Sequence, residues 1–289
     1  MLAINVKSEF SKLRAVVAHD ALNAIDFSME DFRRYVEPAI LQEHPESGPS
    51  FRQRVIEQQA QFLRLLKFNG IEVLQPAPQA TAFCQVFTRD PCFAVGDTLF
   101  LGSLRDAYRH PEVAGLVDIG RTSSAVATLW GDGAVVEGGD VFVIDDGRTA
   151  LVGTHRHTNE PGLRRLSAEL ARQNIELIAV PHRALHLDCC FAPLPNGEAL
   201  IAGTKLADEG RRQLEGRFHL IELDAVEANL YLAANLLWLD EHRVVSGSAA
   251  RKTNQLLRSK GYEVHELDFS QLVCLWGSIR CVTCPLFRG

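Results

Sequence analysis

The feature that most constrains this chain is a repeat. An apolar run, a turn signal, a second apolar run and a closing glycine recur four times. The copies are CFAVGDTLFLG (Cys92 to Gly102), DVFVIDDGRTALVG (Asp140 to Gly153), CCFAPLPNGEALIAG (Cys189 to Gly203) and NLLWLDEHRVVSG (Asn235 to Gly247). The turn signals GD, DDG, PNG and DEH mark each copy as a hairpin. The closing glycines lie 51, 50 and 44 residues apart, a period that points to a radial or stacked array.

Three hairpins lead into a helical pattern and then a single strand: PGLRRLSAELARQN into IELIAVP, LADEGRRQLEG into FHLIELD, and RKTNQLLRSKG into YEVHELD. The first hairpin leads into LRDAYRHPEVAGL, a weaker helix pattern. Near the N-terminus, strand LRAVVAHD precedes helix SFRQRVIEQQAQFLRLLKFNG and strand IEVLQ. Val55, Phe62, Leu63, Leu65 and Leu66 give that helix an apolar face at the 3.6-residue period. Gly70 stands where a C′ residue would end it. Four ββαβ units and a fifth split between the termini predict a closed ring, with the C-terminal strand completing the N-terminal module. The competing reading is an ordinary α/β sandwich with accidental spacing.

Polar residues stand where such a ring would have its axis. Asp90 comes two residues before the first hairpin. Glu137 and Asp140 flank Gly138 and Gly139 at the second, and His186 and Asp188 precede the third. Singly, each has a plain structural reading as a turn, cap or core residue. Together they would place carboxylates and an imidazole in one buried volume, which is unfavourable without a cationic partner. A planar guanidinium fits paired carboxylates through bidentate bonds.

Charge and composition exclude other classes. The formal net charge is -6 and no basic run is present, so nucleic acid is not an expected partner. MLAINVKSEFSKLRAVV lacks the apolar core of a signal peptide. The apolar runs EALIAG and NLLWL are too short to span a bilayer. A cytoplasmic protein with reduced thiols is expected, since the seven cysteines are odd in number. Cys281 and Cys284 form a CxxC spacing with three readings. A redox pair would sit at a helix start, a zinc site would need two more ligands, and a catalytic Cys would need a distant His and carboxylates. The last makes most use of the other residues.

The segments FTRDP (Phe87 to Pro91), EGGDV (Glu137 to Val141), HLD (His186 to Asp188) and GSIRC (Gly277 to Cys281) occur in an order that resembles the guanidino-group-modifying enzymes. The likeness is to dimethylarginine dimethylaminohydrolase and, more distantly, to arginine deiminase and the amidinotransferases. It runs over nearly the whole chain and includes THRHTNEPG, ANLLWLDEHRVVSG and GYEVHELD. The resemblance implies a single catalytic domain over residues 1–289, a five-bladed α/β propeller (pentein) of ββαβ modules. It implies Cys281 as nucleophile, His186 as general acid and base, Asp90 and Glu137 on the guanidinium with Asp188 beside them, and Asp140 at the substrate or behind His186. It implies no metal and no cofactor. The expected partner is a small guanidino compound, and a homodimer is allowed. The rival functions are amidino transfer to an amine and a non-catalytic binding propeller.

Three departures concern the substrate. The family's S-x-R-T-N segment reads HRHTN here, so His157 replaces the Arg expected to hold the substrate carboxylate. Arg156, Arg105 and Arg109 are the alternatives, against a solvated helix face for the last two. Asp188 stands where dimethylaminohydrolases carry Lys, which favours guanidines with unsubstituted nitrogens. Ser278 stands where Gly is usual, and Arg280 precedes the Cys. The stretch Asp20 to Ser50 exceeds a normal loop length and is expected to close over the site.

Overall fold

The computed structural model describes residues 2–21, 49–82 and 84–289. The segment expected to close over the site falls at 22–48, outside the described residues.

Each repeat folds as a three-stranded sheet whose first two strands are antiparallel and whose third is parallel to the second. The blades are β3 (Cys92–Val95), β4 (Thr98–Leu101) and β5 (Val126–Thr128); β6 (Val141–Ile144), β7 (Thr149–Thr154) and β8 (Glu176–Pro181); β9 (Phe191–Pro193), β10 (Glu198–Ile201) and β11 (His219–Glu222); and β12 (Leu237–Trp238), β13 (Arg243–Gly247) and β14 (Glu263–Leu267). The fifth blade is split. β15 (Cys284–Arg288) runs antiparallel to β1 (Leu13–Val17), which pairs in parallel with β2 (Glu72–Leu74). The expected closure of the C-terminus onto the N-terminal module is therefore present, and the fold is the five-bladed α/β propeller. Bridges Val6–Gly96, Ser103–Val136, Val136–Thr158 and His182–Leu206 tie neighbouring segments together.

The first strands of the hairpins are apolar throughout and buried on both faces, as expected for sheets with a helix on one side and the axis on the other. Phe93 and Phe100 are cross-strand partners and stack at 5.2 Å. The helix Pro49–Phe68 buries Val55, Phe62 and Leu66, and Phe62 meets Phe269 edge-on at 5.6 Å. Burying such a side chain contributes about 1.5–3 kcal/mol. Gly70 has a φ of +71° just past the helix end, and the Ile71 N–H donates to the Leu66 carbonyl, so the expected glycine stop is there. The Asn159 side chain caps the helix Glu160–Ala171 by accepting from the Gly162 N–H.

The weak helix pattern after the first hairpin does not make one helix. It breaks into a 3-10 turn, Ala107–Arg109, and the short helices Pro111–Ala114 and Val117–Thr122. Pro111 supplies no N–H to continue the earlier turn. The side chains of Arg109 and Glu112 are buried instead of solvated. Among the described residues, no helix is long and apolar enough to cross a membrane.

Candidate active site

Two hairpins are entered through the same local structure. A 3-10 turn, Gly138–Asp140 or Leu187–Cys189, precedes the first strand, and an extended residue, Glu137 or His186, precedes the turn. This repetition brings Glu137 and His186 into contact at the axis. Cys281 lies in the turn between the short helix Ser270–Cys274 and β15. Its carbonyl accepts from the Arg89 N–H at 3.0 Å, tying the cysteine turn to the segment that carries Asp90.

Asp90, Arg105, Arg109, Arg156, His157, His186 and Cys281 line one cavity of about 610 Å³. On its floor His186 Nε2 is 2.8 Å from Glu137 Oε2, and His186 Nδ1 is 3.6 Å from Asp90 Oδ1. The other Glu137 oxygen accepts from the Arg105 backbone N–H at 2.9 Å and lies 3.0 Å from His157 Nδ1. Both Glu137 oxygens are thus engaged by protein groups, and its place is behind His186. Asp90 differs. Its Oδ2 accepts from Arg109 Nη1 at 2.8 Å, while its Oδ1 is buried with no hydrogen-bond partner among the described residues. Asp188 is fully buried and places Oδ2 3.9 Å from the Cys281 sulfur and 3.7 Å from Arg280 Nε.

The electrostatics follow from this arrangement. Burial disfavours an imidazolium at His186, but Asp90 and the hydrogen-bonded Glu137 outweigh it and raise its pKa to about 10. Burial likewise opposes ionisation of Glu137, yet the hydrogen bonds from His157 and His186 hold its carboxyl well below the usual range. Burial dominates at Asp188 and raises it to about 6, despite His186 and Arg280. Burial, then Asp188 and Asp90, push the Cys281 thiol far up. The ligand-free site therefore holds an imidazolium, a thiol and an acceptor atom without a donor. A cation entering between Asp90 and Asp188 would favour the thiolate.

The remaining expected residues fall in three places. Arg105 and Arg156 are exposed on the cavity wall. Arg109 is on neither a solvated face nor the rim. Its Nε and Nη2 grip Glu112 at 2.9 and 2.8 Å, and its Nη1 holds Asp90, so its five-donor fork is already engaged. Asp140 does not line the cavity. Oδ1 is 2.9 Å from His182 Nε2 and accepts from the Leu187 N–H at 2.8 Å, and Oδ2 accepts from Thr158 Oγ1 at 2.7 Å. That bracket orients the turn following His186. Cys284 does not line the cavity; its thiol donates to the Pro285 carbonyl at 3.7 Å, as that of Cys92 donates to the Thr88 carbonyl at 3.2 Å. Arg280 stacks over the Phe142 ring at 3.9 Å and donates from Nη1 to the buried Glu9 at 2.6 Å.

Asn235 was not singled out as a site residue. Its Nδ2 lies 3.1 Å from the Cys281 sulfur, and its Oδ1 accepts from the Arg280 N–H at 2.9 Å and the Cys281 N–H at 3.3 Å. It holds the cysteine turn and offers the sulfur a donor. The signal was available: Asn235 is the polar residue opening the fourth hairpin, as Asp140 opens the second. Among the described residues, Glu137, His157 and His186 form the group whose ligand atoms could meet on a metal ion, all within 4.8 Å. Here Glu137 bridges the two imidazoles by hydrogen bonds, so the burial of all three is already compensated.

The sequence model described as N,N dimethylarginine dimethylhydrolase, eukaryotic, matches residues 37–288. The uncharacterized protein YkgA of Bacillus subtilis is 31% identical over 233 residues, 81% of this chain and 80% of its own. Among solved structures, the N-terminal domain of ArgZ, an arginine dihydrolase of cyanobacteria, superposes with a TM-score of 0.81 at 18% identity, covering 96% of this chain and 98% of that one. SxtG, an amidinotransferase of Microseira wollei, superposes with a TM-score of 0.78 at 17% identity over 99% and 97% of the two chains. The hairpin repeat, its axial carboxylates and the match over most of the length identify the chain as a member of the N,N-dimethylarginine dimethylhydrolase family, built on the pentein fold.

Proposed function

We propose that this chain is a cysteine-dependent hydrolase of a guanidino C–N bond, acting in the cytoplasm as one catalytic unit on arginine or an N-methylated arginine. One observation carries the reading. The orphaned Asp90 Oδ1, the buried Asp188 carboxylate and the Cys281 thiol flank the same floor, opposite a charged His186. A planar cation with several N–H donors would complement those acceptors. Family membership supports the same class of substrate.

In this reading Asp90 Oδ1 and Asp188 receive the guanidinium N–H groups and hold its central carbon near the sulfur. The cation lowers the cost of ionising Cys281, whose proton is released to solvent through the cavity, and the thiolate attacks that carbon. His186 gives its proton to the departing nitrogen, and the C–N bond breaks to leave an amidino-thioether. The neutral His186 then takes a proton from water, the resulting hydroxide attacks the same carbon, and the sulfur leaves. The products are an amine or ammonia and a ureido compound. Glu137 keeps the imidazole oriented and charged, and Asn235 steadies the thiolate. No step calls for a metal or an organic cofactor.

Incubation with arginine, monomethylarginine and dimethylarginine tests the reading by citrulline formation. Citrulline should form with wild-type protein and be lost in Cys281→Ser. Amidino transfer to glycine or ornithine without ureido product would replace hydrolysis by the transferase reading. Chloroacetamidine should label Cys281, with protection by arginine; labelling confined to Cys284 would sink the nucleophile.

A further inference from the structure

The floor of the cavity is acidic and its mouth is not. Arg105, Arg156, Arg183 and Lys205 line the mouth, the first three exposed and Lys205 half-buried. None makes an ion pair with an acid among the described residues; Arg183 donates to the Leu206 carbonyl. Among the described residues, Asp106 is the carboxylate beside them on the cavity wall, Asp90 lying on the floor. This concentration of positive charge stands on a chain whose formal net charge is -6, so it is a local feature and not the general character of the surface. Tyr108, Leu185 and Trp276 lie on the same rim, 38%, 38% and 36% exposed.

Free arginine carries two groups at its far end, a carboxylate and an ammonium. The carboxylate matches this mouth. Among the described residues, the ammonium would enter it against four cations with a single acid to oppose them, and unpaired like charges at close quarters are repulsive. An α-nitrogen held in an amide carries no charge and brings an acyl group that can cover apolar rim surface. We infer that the site takes guanidino acids whose α-nitrogen is acylated, the cationic mouth holding the carboxylate and the apolar rim the acyl group. This rests on the guanidino reading of the floor and adds what lies at the other end of the substrate.

The experiment compares arginine, Nα-acetylarginine and agmatine, which keeps the guanidinium and lacks the carboxylate. Binding is measured by calorimetry on Cys281→Ser, and ureido product on the wild-type protein. Nα-acetylarginine should bind at least tenfold tighter than arginine and agmatine weakest, with the same order in kcat/KM. The double variant Arg156→Glu, Lys205→Glu should reverse the binding order of Nα-acetylarginine and agmatine. Raising salt should weaken Nα-acetylarginine more than agmatine. Arginine binding as tightly as its acetyl derivative, or a double variant that leaves the order intact, overturns the inference and leaves the hydrolase reading standing. The expected binding order without ureido product from any of the three overturns the hydrolase reading alone.

Discussion

Two carboxylate–histidine pairs, their acids three residues apart in the sequence and their histidines four, do different work. Glu137 pairs with His186 at 2.8 Å, and Asp140 pairs with His182 at 2.9 Å. All four side chains are buried. The Asp140 pair is closed: its carboxylate also takes the Leu187 N–H and the Thr158 hydroxyl, and neither partner lines the cavity. The Glu137 pair opens onto the cavity, where His186 faces Asp90 and Cys281. A buried pair whose carboxylate oxygens are both engaged by protein groups holds a turn in place. The same pair beside an unsatisfied acceptor and a thiol is poised to move protons.

The largest expected difference comes from breaking one member of each pair. His186→Ala should lower kcat by about 10²–10⁴ with little change in fold. Asp140→Asn, on the other pair, should act on stability, costing about 1–3 kcal/mol because a buried acceptor set loses its match. Thermal melts and citrulline assays of both variants check the split. Large activity loss in Asp140→Asn with an unchanged melt would erase the distinction.

Two glycines offer a gentler version of the comparison. A Cβ on Gly139 would lie 2.7 Å from His186 Cγ, and one on Gly153 would lie 2.5 Å from Asp140 Oδ1. Gly139→Ala should displace the imidazole and lower kcat by roughly 10², the effect of misplacing a catalytic group by about 1 Å. Gly153→Ala should chiefly lower the melting temperature. Equal effects of both on activity would count against separate roles.

The pH profile is the third test. Asp188 must be ionised to hold a cation, so kcat/KM should fall as pH drops through about 6, where its buried carboxyl takes up a proton. His186 must be protonated to act as an acid, and it loses that proton only near pH 10. The profile should therefore rise through about 6 and fall at high pH, and Asp188→Asn should remove the acid limb along with most of the rate. A descending limb near the ordinary His value of 6.5 would mean that Glu137 and Asp90 do not charge the imidazole. The smallest expected effect is that of chelation: prolonged treatment with EDTA should leave turnover unchanged. A loss restored by added zinc would reassign Glu137, His157 and His186 as ligands.

Much of the architecture was legible because it repeats. Four hairpins with closing glycines, three followed by clear helices, specify the same module each time, and the strand missing from the N-terminal unit appears at the other end as β15. Asp90, Glu137, His186, Asp188 and Cys281 were legible as polar residues at blade starts or in the C-terminal turn. The pairings were not. Arg109 reads equally as a holder of the substrate carboxylate and as an exposed helix residue until Pro111 breaks the helix and Asp90 and Glu112 draw the guanidinium inward. Glu137 reads as a guanidinium ligand until His157 and His186 occupy its oxygens. Asn235 was overlooked because its partners, the Cys281 sulfur and two backbone N–H groups, are more than 40 residues away.

The amino-acid sequence by itself determined the module, its recurrence, the closure of the ring and the residue types gathered at the axis. Periodicity, turn chemistry and apolar patterning are local properties, and they need no partner to be read. Tertiary structure alone decided which carboxylate keeps an open oxygen, which histidine is charged and where the arginines point. Those outcomes depend on distances of about 3 Å between side chains from different blades, and on burial that no stretch of sequence contains. The same physics separates Glu137 from Asp140, two acids on either side of a pair of glycines, into one that serves the cavity and one that holds the turn.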